Sequence, residues 1–526
     1  MTDWHDHIVI GPIVLPMAMA AAMLLFDERR RVLKGVMSLV AMTAILAMAL
    51  ILLDESASGE TARVYRLGDW AAPYGIVLVA DRLSTLMVAL TSVLGGCALV
   101  FALARWDRAG PRFHAIFLLL VMGVNGAFLT GDLFNLFVFF EIMLAASYGL
   151  VLHGSGEARI KAGLGYIAVN LTASLLFLIG VALIYGVTGT LNMADLVARI
   201  PAIPDADRGL FHAGAAILGV AFLVKCAMWP LGLWLPPTYA AASAPAAAVF
   251  AILSKVGVYV VMRLGLLLFG AGAGASAGFG GAWLLVGGLA TIAFGTAGLL
   301  AARDLSRAAA YAVMVSSGTV LAILGSGHPD ALAGAIFYMV GSTLACGALF
   351  LVGEILQRSQ EADADTGRAV FDDEYHDPFD DEERNEPGLV IPAAVAAVAG
   401  AFLVCTLMVA GLPPLAGFVG KLAMMDALMQ VGDTAAWWII ALLSLSSLGA
   451  LIGLVRLGIR AIWATEGDRP PFVVGAAEFA GLGVLLAACV LLAIFGNAGV
   501  LYAQHTAEWL ARPEAYANAV LAGDGR

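Results

Sequence analysis

The chain has 526 residues, of which 61% are hydrophobic and only 13% are charged. Soluble globular proteins carry about 25% charged residues, so this composition excludes an ordinary soluble domain. The hydrophobic residues form long blocks, most of them longer than the roughly 18 residues that indicate a transmembrane helix. Open sheets and irregular loops cannot face lipid, because their backbone polar groups would lack partners. The sequence therefore predicts an all-α polytopic membrane protein.

The chain contains fourteen apolar segments in succession. We therefore expect about fourteen transmembrane helices. The N-terminus is acidic rather than basic, so we interpret the first segment as a resident helix and not as a cleavable signal peptide. The segments are 8–26, 35–53, 82–104, 113–130, 132–153, 162–187, 210–234, 244–269, 278–301, 306–325, 332–356, 389–430, 436–460 and 473–497.

The basic residues mark one side of the predicted bundle. They follow the odd-numbered segments, and loops rich in lysine and arginine are cytoplasmic by the positive-inside rule. This pattern predicts a multi-pass membrane protein with both termini outside. The residues concerned are Arg29, Arg30, Arg31, Lys34, Arg105, Arg108, Arg112, Arg159, Lys161, Arg303 and Arg307.

The acidic charge is concentrated in one segment. The whole chain carries a net charge of −11, and residues 357–388 alone hold twelve acids against three arginines. The rest of the chain is nearly neutral and has no basic stripe for nucleic acid. We interpret 357–388 as a solvated cytoplasmic loop. Docking onto a partner protein is an alternative, and cation capture by the carboxylates is another, although the spacing is not that of an EF-hand.

The cysteines and three of the aspartates receive structural interpretations. The five cysteines lie inside apolar segments without CxxC spacing, so we expect small buried hydrophobes, with no disulfide and no metal cluster. Aspartates at predicted helix starts are expected to be N-caps, and Arg307 a marker of the cytoplasmic side. The residues are Cys97, Cys226, Cys346, Cys405 and Cys489, and Asp81, Asp132 and Asp304.

Two segments contain prolines that should break their helices. Pro230 lies in the seventh segment and Pro236 just after it, and Pro413 and Pro414 lie in the twelfth segment. Proline removes a backbone donor and clashes with the preceding turn. The two segments are five apart and so cross the membrane in opposite directions, which predicts two inverted five-helix repeats, helices 4–8 and 9–13. Paired broken helices of this kind indicate an ion or substrate site.

The repeats define the expected domains. We expect N-terminal helices 1–3 in residues 1–112 and the first inverted repeat in 113–269. The second repeat occupies 278–460 and includes the acidic loop. Helix 14 and a C-terminal tail occupy 461–526.

Glu141 is an isolated acid in the middle of the fifth segment. It lies about ten residues into the helix, roughly 15 Å at 1.5 Å per residue, near the bilayer midplane. A charge there costs roughly 2.5–3.5 kcal/mol on insertion scales and indicates a function. We expect an ion pair with Lys225, in which each group changes the proton affinity of the other. A static salt bridge that only fixes helix packing is the alternative.

Two further lysines interrupt apolar segments. Lys255 has no acid within a helical turn, so we expect it to face a hydrated interior. Lys421 follows the second proline break and is expected to occupy in the second repeat roughly the place of Lys225 in the first. Snorkelling to the membrane interface is the alternative for both.

Hydroxyl groups between these ionisable residues could hold water. Serine and threonine in membrane helices more often bond back to their own helix. Of the candidates, Ser254, Ser342 and Thr343 are the expected supporting residues, and Ser306, Ser316 and Ser317 complete the set.

Six short stretches around the residues described above together resemble those of a known family, the antiporter-like subunits shared by Mrp-type cation/proton antiporters and the respiratory NADH dehydrogenase complex. The resemblance covers about residues 70–460. The matching stretches are GIVLVADRLS at 75–84, GDLF…FFE ending at Glu141, KCAMWP…WLPPT from Lys225, SKVGVY from Ser254, DLSR…AY at 304–311 and GLPPLAGFVGK ending at Lys421.

The resemblance implies fourteen helices with two inverted repeats, and it assigns proton translocation to Glu141, Lys225, Lys255 and Lys421. Lysine at position 421 and the short C-terminal tail make the chain most similar to the D-subunit branch of the Mrp-type antiporters. The family often has a histidine in helix 11, where this chain has Gly341 and no ionisable group. Water near Ser342 and Thr343 would have to bridge that gap.

The implied function is that of a proton-translocating subunit in a multi-subunit antiporter that exchanges Na⁺ for protons, driven by the proton motive force. The expected partners are other membrane subunits, protons, Na⁺ and lipid, without nucleic acid. No nucleotide, flavin, haem or iron–sulfur motif is present, so we expect no cofactor and a secondary transporter rather than an enzyme. One alternative is a proton-pumping subunit of a respiratory or hydrogenase complex. The other is a membrane scaffold that conducts nothing.

Overall fold

The computed structural model describes residues 7–59, 62–366, 393–463 and 474–522. Helices dominate these ranges, which confirms the predicted class of membrane protein. The first ten are α1 (Gly11–Leu24), α2 (Arg31–Ser58), α3 (Arg82–Ala102), α4 (Phe113–Leu129), α5 (Leu133–Val151), α6 (Glu157–Thr188), α7 (Met193–Arg199), α8 (Asp205–Lys225), α9 (Leu235–Ala241) and α10 (Ala244–Phe269). The others are α11 (Gly281–Ala301), α12 (Leu305–Ser326), α13 (Pro329–Thr366), α14 (Ala393–Ala410), α15 (Ala416–Val431), α16 (Thr434–Gly458), α17 (Ala476–Ile494), α18 (Gly496–Leu510) and α19 (Pro513–Leu521).

Within the described ranges, twelve helices are long and apolar enough to cross a membrane, and α1 and α4 are shorter apolar helices. Each of the fourteen predicted segments contains one of these helices. The chain is therefore a multi-pass membrane protein.

Two of the predicted segments are broken helices, as the prolines indicated. Helix α8 ends at Lys225 and α9 begins at Leu235, while α14 ends at Ala410 and α15 begins at Ala416. Pro230 lies in the first gap and Pro236 in the first turn of α9, where proline needs no backbone donor. Pro413 and Pro414 both lie in the second gap. The predicted seventh segment, 210–234, ended too early, because the chain becomes helical again after the break.

The centre of the bundle consists of α10, α12 and α13. Helix α13 is buried along its whole apolar window, and α10 and α12 are buried over 83% of theirs. Helices such as α2, α8 and α11 are only about one-third buried and present apolar side chains to the lipid. A helix that is apolar all round is expected in such a central position.

A two-stranded hairpin precedes α3 and was missing from the all-α prediction. Strand β1 (Arg63–Arg66) pairs antiparallel with β2 (Val77–Ala80), with Arg63 opposite Ala80. The two strands pair some of their backbone groups with each other, so a short sheet is possible at the end of a helix bundle.

Two polar regions are more helical than expected. Helix α13 continues through 357–366, where a loop was predicted, and the residues 367–388 of that loop lie outside the described ranges. The C-terminal tail predicted after the fourteenth segment forms α18 and α19, and the buried Tyr516 anchors α19 to the bundle. The five cysteines are buried and free, as predicted.

Candidate functional site

Glu141 lies near the middle of α5 and is only partly buried. Its Oε1 atom accepts a short hydrogen bond from the Ser174 hydroxyl on α6. This hydrogen bond fixes the direction of the carboxylate group. Glu141 is therefore held by a partner that the sequence did not indicate.

Lys225 is the last residue of α8 and is 4% exposed. Its ammonium lies 5.0 Å from the centroid of the Phe140 ring, the residue before Glu141. Among the described residues, no hydrogen-bond partner reaches Nζ. The predicted direct ion pair with Glu141 is thus not formed, although the two charges remain within coulombic range. Ser174 holds the carboxylate, and the Phe140 ring faces the lysine instead.

Lys255 lies at the centre of the protein, 1% exposed on α10. Its Nζ atom donates a hydrogen bond of 3.0 Å to Ser317 Oγ on α12 and lies 3.5 Å from the Val313 carbonyl oxygen. Snorkelling is excluded, because the side chain is enclosed by other helices. The sequence offered no partner within a helical turn of Lys255, and its hydrogen-bond partner comes from another helix, α12.

Helix α10 passes very close to the first helix break. A Cβ atom at Gly257 would lie 2.9 Å from the Cys226 backbone nitrogen and 3.1 Å from the Lys225 carbonyl carbon. Only glycine permits this approach without displacing backbone. The close contact brings the helix of Lys255 against the end of the helix that carries Lys225.

Lys421 lies on α15 and is 3% exposed. Its ammonium donates to the Ala410 carbonyl at 3.1 Å and to Ser447 Oγ at 2.8 Å. It also lies 5.9 Å from the centroid of the Tyr338 ring. The Ala410 carbonyl belongs to the last residue of α14, so the helix break supplies an acceptor for the buried cation.

Glycine makes room for this arrangement. Gly411 has φ +72°, and a Cβ atom there would lie 2.6 Å from Lys421 Cδ. The break and the lysine are thus packed against each other. Lys421 follows its break, whereas Lys225 precedes its own, and their correspondence between the two repeats stays a prediction.

The hydroxyl groups divide into two kinds. Ser254 and Thr343 bond back to carbonyls of their own helices, at 3.1 Å and 2.6 Å. Ser342 also bonds back, to the Met339 carbonyl at 3.2 Å, but in addition it meets the Ser316 hydroxyl of α12 at 2.6 Å. Of the three supporting residues predicted, Ser342 alone links two helices through its side chain.

A small cavity lies beside Ser342. Its volume is about 10 Å³, close to the roughly 10–15 Å³ that one water molecule needs. Tyr338, Cys346, Thr296 and Ser446 share its lining with Ser342. The cavity lies beside the part of α13 near Gly341. At this place the family often has a histidine, whereas this chain has no ionisable residue.

A buried ion pair between Asp81 and Arg263 was not predicted from the sequence. Asp81 caps α3 as predicted, but both of its oxygens also accept short hydrogen bonds from Arg263 on α10. Trp509 Nε1 lies 3.3 Å from the same carboxylate. The sequence does indicate this site, because Arg263 is a charged residue in the apolar stretch VVMRLGLLL. Asp132 and Asp304 cap α5 and α12 as predicted.

The described residues include no group of three or more His, Cys, Asp or Glu side chains placed to hold a metal ion. They include three buried lysines inside a membrane bundle, two of them beside interrupted helices, and sites of this kind occur in ion-translocating membrane proteins. Residues 130–449 match the family model described as NADH:quinone oxidoreductase/Mrp antiporter, transmembrane, and the chain belongs to this family.

Relatives that match the full length of the chain show which subunits of this family it resembles. The chain is 52% identical to a protein named as the D subunit of a probable K(+)/H(+) antiporter from Rhizobium meliloti, over 99% of this chain and 98% of the relative. It is 32% identical to the D subunit of the Na(+)/H(+) antiporter of Alkalihalophilus pseudofirmus, over 98% and 99%. The predicted similarity to D subunits is confirmed, and these relatives are named as antiporter subunits rather than as enzymes.

Solved structures share the fold. A chain in the Mrp complex from Dietzia sp. superposes with a TM-score of 0.82 at 26% identity, covering 99% of this chain and 100% of that one. A chain of respiratory complex I from Thermus thermophilus superposes with a TM-score of 0.75 at 22% identity, covering 96% and 99%. The second likeness establishes the fold alone.

Proposed function

We propose that this chain is the proton-translocating subunit of a multi-subunit monovalent cation/proton antiporter, driven by the proton motive force. It would lie in the bacterial cytoplasmic membrane with both termini outside. Ten of its fourteen membrane segments, the fourth to the thirteenth, would form two inverted five-helix repeats, in which the α8–α9 and α14–α15 breaks correspond. The names and full-length identities of the relatives support the antiporter over a respiratory subunit.

One observation carries the proposal: polar groups continue from Lys255 towards Lys421. Lys255 binds Ser317, whose neighbour Ser316 bonds to Ser342. Ser342 lines the cavity that Tyr338 and Ser446 share. Beyond it, the Tyr338 ring faces Lys421, and Ser447 binds the lysine directly. A water molecule in the cavity would complete a route for protons between the two cations.

In this proposal, Lys225 is the residue whose charge changes during transport. A buried ammonium without a hydrogen-bond partner is costly, whereas Lys255 and Lys421 have partners. Its charge is therefore the one most easily altered by a neighbour. Protonating Glu141 would remove the nearby negative charge and further destabilise the Lys225 ammonium, which would favour release of the proton towards Lys255.

The lipid-facing side of α5 and α6 is the surface on which we expect a partner subunit to bind. Glu141 remains partly exposed on α5 in the isolated chain, and α6, which carries Ser174, is only 39% buried over its apolar window. A partly exposed carboxylate at the bilayer midplane is costly in lipid. We propose that another membrane protein of the complex covers this face after assembly.

The identity of the exchanged cation is open to direct measurement. The sequence analysis expected Na⁺, and the relative at 52% identity is named for K⁺. The test uses everted membrane vesicles that contain the whole complex and a pH-sensitive dye. A proton gradient should collapse on addition of the exchanged cation, and the K⁺ and Na⁺ arms identify it. Lys255→Ala should abolish the response to either cation.

Matched measurements separate the alternatives. Ser326→Ala serves as a control, because the Ser326 hydroxyl bonds only to the Ile323 carbonyl of its own helix. A gradient that depends on NADH oxidation and ignores both cations would favour a respiratory subunit. Unchanged exchange in assembled Lys255→Ala complex would favour a scaffold.

A further inference from the structure

A pocket of about 300 Å³ lies where the α1–α2 turn meets the connection between α3 and α4. Its lining includes the exposed side chains of Arg31, Arg108 and Arg112 and the buried side chains of Lys34 and His114. The transport route does not use any of these residues. They lie at the ends of membrane helices, at the level where a bilayer has its headgroups.

The pocket has more positive than negative side chains. Glu28 and Asp107 are the acids among its lining residues. Lys34 donates to Glu28 at 2.7 Å and keeps the pKa of that carboxyl below its usual value. Within the described ranges, neither Arg31 nor Arg112 forms an ion pair through its side chain. Two guanidinium groups are therefore left to bind an external anion.

His114 supplies an unsatisfied polar atom at the buried end of the pocket. The ring is 4% exposed, and its Nδ1 atom lies 3.1 Å from Ser38 Oγ. Its Nε2 atom is buried without a hydrogen-bond partner among the described residues. Leaving such an atom unpaired costs about 1–3 kcal/mol in general, so a bound ligand or water is needed there.

We propose that this pocket binds a phosphate group, carried either by an anionic lipid or by inorganic phosphate. Arginine presents planar pairs of N–H donors that match phosphate oxygens. Backbone N–H groups at the start of α4, which begins at Phe113, add further donors of the kind that bind anions. The location at the helix ends favours the headgroup of an anionic lipid over a soluble ion.

Topology alone does not account for the pocket. Basic residues at the ends of membrane helices set orientation in general, and they need no cavity for this. Arg303 and Arg307 occupy another such helix end, and Arg307 pairs with Asp304 at 3.5 Å. Neither lines the pocket, so these two arginines provide matched controls.

The test is titration calorimetry on the delipidated, purified whole complex. The probes are dihexanoyl phosphatidylglycerol, dihexanoyl phosphatidylcholine and sodium phosphate. We expect the double variant Arg31→Gln/Arg112→Gln to bind the anionic probe at least about tenfold more weakly, a change of about 1.4 kcal/mol. The double variant Arg303→Gln/Arg307→Gln should bind as the wild type does.

The three probes distinguish the sources of the phosphate. Binding of phosphatidylglycerol far above that of sodium phosphate identifies a lipid site, and equal or stronger binding of sodium phosphate identifies a soluble anion. Equal loss in both double variants, equal binding by both, or no binding of either anionic probe to the wild type would overturn the proposal. If the arginine variant does not assemble, His114→Gln replaces it, with the same expected weakening.

Discussion

The Lys421 ammonium lies 3.1 Å from the carbonyl oxygen of Ala410, the last residue of the helix that Pro413 and Pro414 interrupt. An unbroken helix would use that carbonyl for its own hydrogen bonding. The break therefore does more than bend the chain, because it provides a fixed acceptor for a buried cation. Gly411 leaves the space in which the lysine side chain reaches it.

Enlarging Gly411 should impair transport without preventing folding of the bundle. A methyl group in Gly411→Ala would lie 2.6 Å from Lys421 Cδ, and the residue would also be strained at φ +72°. We expect cation-dependent proton exchange to fall by about tenfold or more, given that small displacements at such sites have large effects. Dye-based exchange in vesicles measures the loss.

Gly400→Ala is the control for this substitution, because within the described ranges the added methyl group would meet no atom within 4 Å apart from its own helix. It should exchange as the wild type does. Equal activity of the two variants at equal expression would contradict the role assigned to Gly411.

Removing the hydroxyl that binds Lys255 should weaken the centre of the site. In Ser317→Ala the Lys255 ammonium keeps only the Val313 carbonyl at 3.5 Å. A hydrogen bond to a charged group contributes about 1.5–3 kcal/mol, so both stability and exchange should decrease. Thermal unfolding of the purified complex and vesicle exchange measure these two effects, with Ser326→Ala as the unaffected control. A Ser317→Ala complex with normal exchange would show that the contact is dispensable.

The Glu141–Ser174 contact predicts a graded pair of variants. Glu141→Gln keeps the size of the side chain and removes its charge, so exchange should be lost while the complex still assembles. Ser174→Ala removes one hydrogen bond from the carboxylate and should reduce the rate without abolishing it. Exchange rates normalised to complex content distinguish the two. A greater loss in Ser174→Ala than in Glu141→Gln would reverse the assigned roles.

The Asp81–Arg263 pair predicts a loss of stability. In Asp81→Asn the side chain still caps α3, but Arg263 is left as a buried charge without its counter-ion. Removing one member of a buried pair typically costs about 3–5 kcal/mol. The unfolding temperature of the complex should fall accordingly, whereas Asp304→Asn, at the exposed start of α12, should change it little. Equal unfolding temperatures for the two variants would show that Arg263 has another counter-ion.

Local rules revealed much of the site from the sequence. Prolines locate the two helix breaks, because the loss of a backbone donor acts within one turn. Glu141, Lys225, Lys255 and Lys421 stand out because a charge in an apolar helix is costly wherever the helix packs. These signals need no knowledge of neighbouring helices.

Partnerships between distant segments could not be predicted in this way. Asp81 and Arg263 are 182 residues apart, and Ser317 is 62 residues from Lys255. Which helices touch, and at what height, is decided by packing of the whole bundle. For the same reason the sequence wrongly joined Glu141 directly to Lys225 and missed Ser174.

The central claim is that protons pass between Lys255 and Lys421 through the hydroxyl groups and cavity around Ser342. The most direct measurement is cation-driven proton flux in proteoliposomes that contain the whole complex with Lys421→Gln, which removes the charge at one end of this row. We predict that flux falls to the level of liposomes without protein, while the assembled complex retains its normal composition. Wild-type flux from the fully assembled Lys421→Gln complex would contradict the account.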